Sequence, residues 1–232
     1  MGLRRALVGG LIVAAIALQA AAAADTSSGR FLVTLRANVT KQWTYATSTK
    51  TAGCTTRVSG SGTRTISFRS SDASIITGTW SGARARAAFS PPVRLLGGSI
   101  TQSGRKTTRV TGPSTCSPAT HRLKCARITR SFQNRNVQLV SRRAHRLGFR
   151  RMKGLVPSDF FNSCPGEPSA VRQIAGGIEL ADSTYSERTL FDPSTAGVTL
   201  QGRADVTTKL LNVTGAVIER VSWNLTFRRL GG

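Results

Sequence analysis

The run Phe31-Leu-Val-Thr-Leu-Arg-Ala-Asn-Val-Thr-Lys-Gln-Trp-Thr-Tyr45 decides the fold class. Phe31, Val33, Leu35, Ala37, Val39, Trp43 and Tyr45 stand at odd positions, and the residues between them are mostly Thr, Arg, Asn and Gln. Successive side chains of a strand point to opposite faces, so this period of two marks a strand with one buried face. Near the other end of the chain the device recurs: Val221, Trp223, Leu225 and Phe227 alternate with Arg220, Ser222, Asn224, Thr226 and Arg228. Shorter runs of the same character lie at Thr65–Arg69, Ser74–Trp80, Ala126–Phe132, Val137–Ser141, Gly197–Leu200 and Ala204–Val213. The turn-formers Ser59-Gly-Ser-Gly62, Pro91-Pro92, Gly97-Gly98, Ser103-Gly104 and Asp192-Pro-Ser194 punctuate them. Many short strands between such turns predict an all-β, antiparallel two-layer β-sandwich, immunoglobulin-like or jelly-roll-like. Helix is expected at Pro168–Ala175, where Pro opens the turn and Gly176-Gly177 closes it. The basic run Arg142–Met152 reads as a loop or short helix. Val33–Thr40 and Val198–Thr207 are alike in pattern.

Residues 1–24 read as a signal peptide. Arg4 and Arg5 start it, an apolar run from Ala6 to Leu18 follows, and Ala20 to Ala24 offer a small-residue cleavage site. The run is Ala- and Gly-rich and lacks basic residues just after it, which disfavours an uncleaved anchor. No later segment approaches the length of a membrane-spanning helix. Cleavage leaves residues 25–232, enough to bury one sizeable core. A subdivision is possible near residues 154–168, where Gly154, Pro157, Pro165, Gly166 and Pro168 cluster.

All four cysteines, Cys54, Cys116, Cys125 and Cys164, follow the leader. An even count in an exported chain reads as two disulfides. The pairing expected is Cys116–Cys125, closed by a local reversal at Ser117-Pro118, with Cys54–Cys164. Zinc is the rival account, using these cysteines with His121, but the spacing does not match the usual pairs two to four apart. The sequence points to no metal and no cofactor.

Charge is the largest functional signal. The chain carries +23, with 33 Lys and Arg against 10 acids, and the bases are concentrated before residue 159. Such a charge favours polyanions through counterion release and long-range attraction. The densest run supplies the candidate anion-binding residues Arg142, Arg143, Arg146, Arg150, Arg151 and Lys153. Guanidinium forks match phosphate oxygens in paired hydrogen bonds. The expected partner is an anionic cell-wall or surface polymer. Nucleic acid would bind through charge alone, because aromatic interleaving is thin and no recognised DNA- or RNA-binding motif occurs.

The Trp-bearing first strand, the Gly-rich turns and the terminal Val221-Ser-Trp-Asn-Leu-Thr-Phe-Arg-Arg-Leu230 resemble exported β-rich proteins of high-GC actinobacteria. The resemblance implies an extracytoplasmic location and an all-β fold, and no activity. Chemistry has little support in the residues. Only His121 and His145 are present, and there is no Gly-x-Ser-x-Gly elbow and no His-Glu-x-x-His pattern. A carbohydrate hydrolase with two carboxylates drawn from residues 159–192 is the enzymatic alternative. A structural or partner-binding module with incidental charge is the plainer one. The leading expectation is a secreted, non-enzymatic, cationic β-sandwich.

Overall fold

The computed structural model describes residues 26–72, 74–82, 86–133, 135–143, 145–150, 167–176, 178 and 180–231. The expected leader and most of the possible 154–168 seam, with Arg151, Lys153 and Cys164, lie outside the described residues.

Among the described residues, eleven antiparallel strands form one open sheet. Strand β1 (Thr26–Thr51) is its axis, and every odd residue from Phe31 to Tyr45 along it is buried. β11 (Thr214–Leu230) lies along one side of β1 and β2 (Cys54–Ser70) along the other. β10 (Gly197–Lys209) extends the sheet beyond β11; β5 (Val93–Thr111) and β6 (Ala119–Phe132) extend it beyond β2. The remaining strands branch from the first residues of the long ones. β3 (Ile75–Ser81) and β4 (Arg86–Ser90) leave from β1, whereas β7 (Arg135–Arg142), β8 (Arg146–Arg150) and β9 (Ser183–Thr184) leave from β5.

These shorter strands fold back as a second layer. Phe149 on β8 meets Trp223 on β11 edge-on at 4.8 Å, and Phe89 on β4 lies 5.8 Å from Phe227 on β11. Neither pair belongs to hydrogen-bonded neighbours, so the rings touch across the core of a sandwich. Two side chains join layer edges: Gln138 Nε2 donates to the Phe89 carbonyl at 2.6 Å, and Ser183 Oγ to the Gln201 carbonyl at 2.7 Å. Among the described residues α-helix is limited to α1 (Ser169–Gly176), where the sequence places it, and α2 (Glu187–Phe191), capped by Ser186 Oγ accepting from the Thr189 N–H. All-β architecture is thus as the alternation predicts.

Several predicted turns are strand interiors. Gly60 and Gly62 lie in mid-β2, and Gly98 and Gly104 in mid-β5. The reason is steric. Tyr45 is registered opposite Gly60, Trp43 opposite Gly62, Phe132 opposite Gly98 and Trp223 opposite Gly202, and a Cβ at any of these glycines would collide with the ring. Each aromatic side chain therefore lies over a cross-strand glycine, so the glycine serves packing and not reversal. Ser103-Gly104 marks a bulge where the β5–β6 register shifts. Gly197–Leu200 and Ala204–Val213 are also not two strands. They form β10 as far as Lys209, followed by the turn into β11. The likeness of Val33–Thr40 to Val198–Thr207 has a structural counterpart: Val33 and Val198 both face Phe227, and Leu35 and Leu200 both face Leu225, from opposite sides of β11.

The disulfide pairing differs from expectation. Cys54 bonds Cys116, with a Cα–Cα distance of 5.5 Å, which excludes both Cys116–Cys125 and Cys54–Cys164. The turn Ala52-Gly53, both at positive φ, starts β2 at Cys54. Thr55 opposite Thr111 then brings the end of β5 beside it, and a 3-10 turn at Ser114–Cys116 carries Cys116 back over Cys54. Cys125 sits six residues into the extended β6 from Ala119, roughly 20 Å along the strand, opposite Gly104. It is disulfide-bonded as well.

Candidate functional site

The even residues of β1 and their registered partners point away from the core, and their side chains build one broad polar face. Its rows run across strands. Asn38, Ser67, Ser99 and Ser131 make one, with Ser67 and Ser99 hydroxyls 3.0 Å apart. Thr40, Thr65, Thr101 and Thr129 make the next, with Thr101 and Thr129 at 3.2 Å. β-Branched Thr suits a solvated strand face, which explains why the sequence stays in strand while remaining polar.

Bases bracket those rows. Arg36 and Arg69 face each other at one end. At the other, Arg105 pairs with Lys124, Thr107 with Arg122, and Arg57 with Arg109. Arg105 Nε donates to Ser61 Oγ at 3.0 Å, which steadies it over the sheet. β1, β2, β5 and β6 contain no Asp or Glu, and no aromatic residue occupies their outward positions. Beyond β1, Arg203, Arg220 and Arg228 continue the cationic surface, where Asp205 pairs with Arg220 at 3.4 Å.

This face is concave. Three hollows of about 790, 1010 and 510 Å³ follow one another along β1, β2 and β5. The first is lined by Arg36, Asn38, Ser67, Arg69 and Ser131, and the second by Thr44, Ser61, Arg105, Arg122 and Lys124. The third, by Ser48, Arg57 and Arg109, joins the second at Thr107. Among the described residues no carboxylate lines any of them. Like charges held along a concave wall reinforce one another's field and concentrate counter-ions in the hollow.

The run singled out by sequence sits elsewhere and is partly neutralised. Instead of a loop or helix, Arg142 ends β7, and Arg146 to Arg150 form β8, with Arg142 registered opposite Arg146. Asp182 lies 3.3 Å from Arg142 Nε and 3.9 Å from Arg146 Nε. Gly148 leaves the space this carboxylate uses, since a Cβ there would strike it. Arg143 and Arg150 are exposed, and His145 contacts the buried Glu187. Of the six residues, four are described, and two of those four share one counter-charge.

A second polar cluster lies on the inner side, beneath α1. Trp43 Nε1 donates to Glu167 at 3.1 Å, and the fully buried Arg64 donates to Gln102. Burial pushes the Glu167 carboxyl above its ordinary value, against the opposing pull of the Trp43 hydrogen bond, Arg64 and Arg172. Burial pulls the Arg64 guanidinium down to about 10, and burial with the nearby Glu167 pushes the Tyr45 hydroxyl up to about 12. The buried Lys41 pairs with the half-buried Glu219 at 3.1 Å. The Trp43–Glu167 bond ties the residue ahead of α1 to β1, whereas Arg64–Gln102 joins β2 to β5 and Lys41–Glu219 joins β1 to β11.

The acids from 159 to 192 are separately engaged wherever described. Glu167 holds Trp43, Asp182 the two arginines, Glu187 His145, and Asp192 accepts from Ser194. Asp159 and Glu179 lie outside the described residues. Among the described residues, no group of three or more His, Cys, Asp and Glu is placed to hold a metal. No described helix is long and apolar enough to cross a membrane.

No known protein family matches this chain, and no curated protein or solved structure is similar to it. The outward bases of β1, β2, β5 and β6 went unnoticed in the sequence because they are spread over four strands and not gathered in one dense run. The signal that would have found them is parity: Arg36, Arg57, Arg69, Arg105 and Arg109 fall on the polar phase of their strands.

Proposed function

We propose that the protein is exported and non-enzymatic, and associates with anionic cell-wall or surface polymers through the concave outer face of its long strands. The observation that carries this reading is the lining of the three hollows: bases from four adjacent strands and, among the described residues, no carboxylate. The exported location rests on residues 1–24 and on the oxidised cysteines, which suit an oxidising compartment. The lack of outward aromatic rings favours charge-led binding over stacking on sugar rings or bases. Nucleic acid would be held by the same charge without sequence preference.

The test is retention of the mature protein on purified cell walls across a salt series. Walls with their anionic polymer intact should retain it at low salt and release it as salt rises. Equal recovery from walls stripped of that polymer would overturn the reading.

A further inference from the structure

The cationic residues of the concave face are not evenly spread. Arg36 and Arg69 occupy one end, Arg57, Arg105, Arg109 and Lys124 the other. Between them, on β1, β2 and β5, lie three rows without charge, through Ser67, Thr65 and Thr63; Arg127 of β6 lines the same hollow as Thr63 and belongs with the second cluster, and Arg203 and Arg220 stand beyond β1 at the far ends of the first two rows. Arg69 and Ser61, the partner of Arg105, are eight residues apart on β2, roughly 26 Å at strand rise. That gap exceeds the screening length of roughly 8 Å at physiological ionic strength, so the two clusters act as separate anion sites. The gap is not apolar. Its rows present hydroxyl and amide groups that donate and accept hydrogen bonds.

Resting on the polyanion reading above, we propose that this face is a two-station site for a linear phosphodiester-linked polyol, and that it selects for chain length. Phosphates at each end engage the guanidinium clusters, where paired hydrogen bonds from arginine suit phosphate oxygens. The polyol between them lies on the hydroxyl belt, exchanging hydrogen bonds with Thr65, Thr101 and Ser67 in place of water. A chain too short to reach both clusters occupies one. Once a chain spans them, the second contact becomes intramolecular, and affinity rises by roughly 10²–10⁴ without any new kind of contact.

The experiment is a binding titration with glycerol-phosphate oligomers of graded length and with inorganic polyphosphate of matched lengths. It uses the mature protein, R36S/R69S, R105S/K124S and T65V/T101V. All the substituted positions face outward, and a thermal melt of each variant checks that it folds before binding is compared. For the parent, affinity should jump by at least roughly 100-fold over a narrow length interval. Either arginine-cluster variant should abolish the jump while changing affinity for the shortest oligomers by no more than about twofold, since one station remains. T65V/T101V should keep the jump but lose the preference for glycerol-phosphate over polyphosphate. A smooth rise in affinity with length, or an equal loss for short and long chains in one cluster variant, would overturn the two-station site. An unchanged preference in T65V/T101V would overturn the polyol assignment. Absence of binding to every anionic probe would defeat the parent reading instead.

Discussion

The concave face and the β7–β8 hairpin are both rich in arginine, and they arrive at it by opposite routes. On the hairpin the bases are neighbours in sequence, yet Asp182 reaches Arg142 and Arg146, and Arg143 stands exposed in the turn. On the concave face Arg36, Arg69, Arg105 and Lys124 are far apart in sequence, yet strand register lines them along one wall. Charge density along a chain is therefore a poor guide to charge density in space. Parity and register decide which bases share a surface.

The largest effect that sharpens this contrast concerns the scaffold. The Cys54–Cys116 link closes a separation of 62 residues at the Arg57–Arg109 end of the face, and neither β7 nor β8 contains a cysteine. A C54S/C116S variant should lose about 4 kcal/mol of unfolding free energy in the chain-entropy account, measured by denaturant titration. A loss below about 1 kcal/mol would mean that this end is held by its strand ladder alone.

Binding comes next. Replacing Arg36, Arg69, Arg105 and Lys124 by Ser should weaken retention on a polyanion column by at least roughly 100-fold at low salt, with a flatter salt dependence. The matched variant at Arg142, Arg143, Arg146 and Arg150 should lose only a few-fold, because part of its charge is already satisfied. Reversal of that order would return the site to the hairpin.

The glycine–aromatic pairs give a smaller effect. Gly62→Val places a branched side chain against the Trp43 ring, so it should cost about 1–3 kcal/mol, read from a chemical melt. Thr63→Val, one residue along on the outward phase, should be close to neutral.

The buried Glu167 predicts a pH signature. Its folded-state value is raised, so the native protein holds a proton that the unfolded chain releases near pH 4.3. Its contribution to stability is present at low pH and is lost as pH rises through the raised value. Glu167→Gln should remove that loss, so the stability of the variant relative to the parent should increase from about pH 4 toward neutrality, followed by melts at a series of pH values. A constant difference across that range would show that the carboxyl is not desolvated as described.

Smallest of all is Asp182→Asn. By freeing Arg142 and Arg146 from their shared counter-charge, it should raise the hairpin's anion affinity by a few-fold at most, seen on the background of the Ser substitutions at Arg36, Arg69, Arg105 and Lys124.

The sandwich was legible because its core strands are regular: the Phe31–Tyr45 and Val221–Phe227 alternations map directly onto the buried face. Glycine was misleading because a turn glycine and a glycine beneath a ring look identical in one dimension. Gly60 and Gly62 become readable only when Tyr45 and Trp43 are placed opposite them. The disulfide was misassigned for a similar reason. Eight residues between two cysteines suggest a loop, but an extended strand spends that length moving away from its start. The site was half legible. That arginines would matter follows from the charge, but which arginines depends on register across β1, β2, β5 and β6. Register is set by long-range pairing that no local window contains.

The most direct test is an NMR titration of the arginine side-chain N–H groups with an anionic polymer at moderate salt. The account predicts that Arg36, Arg69, Arg105 and Arg109 shift together and saturate together, while Arg142 and Arg146 stay near their free positions. Shifts concentrated on Arg142–Arg150, or spread evenly over every arginine, would contradict it.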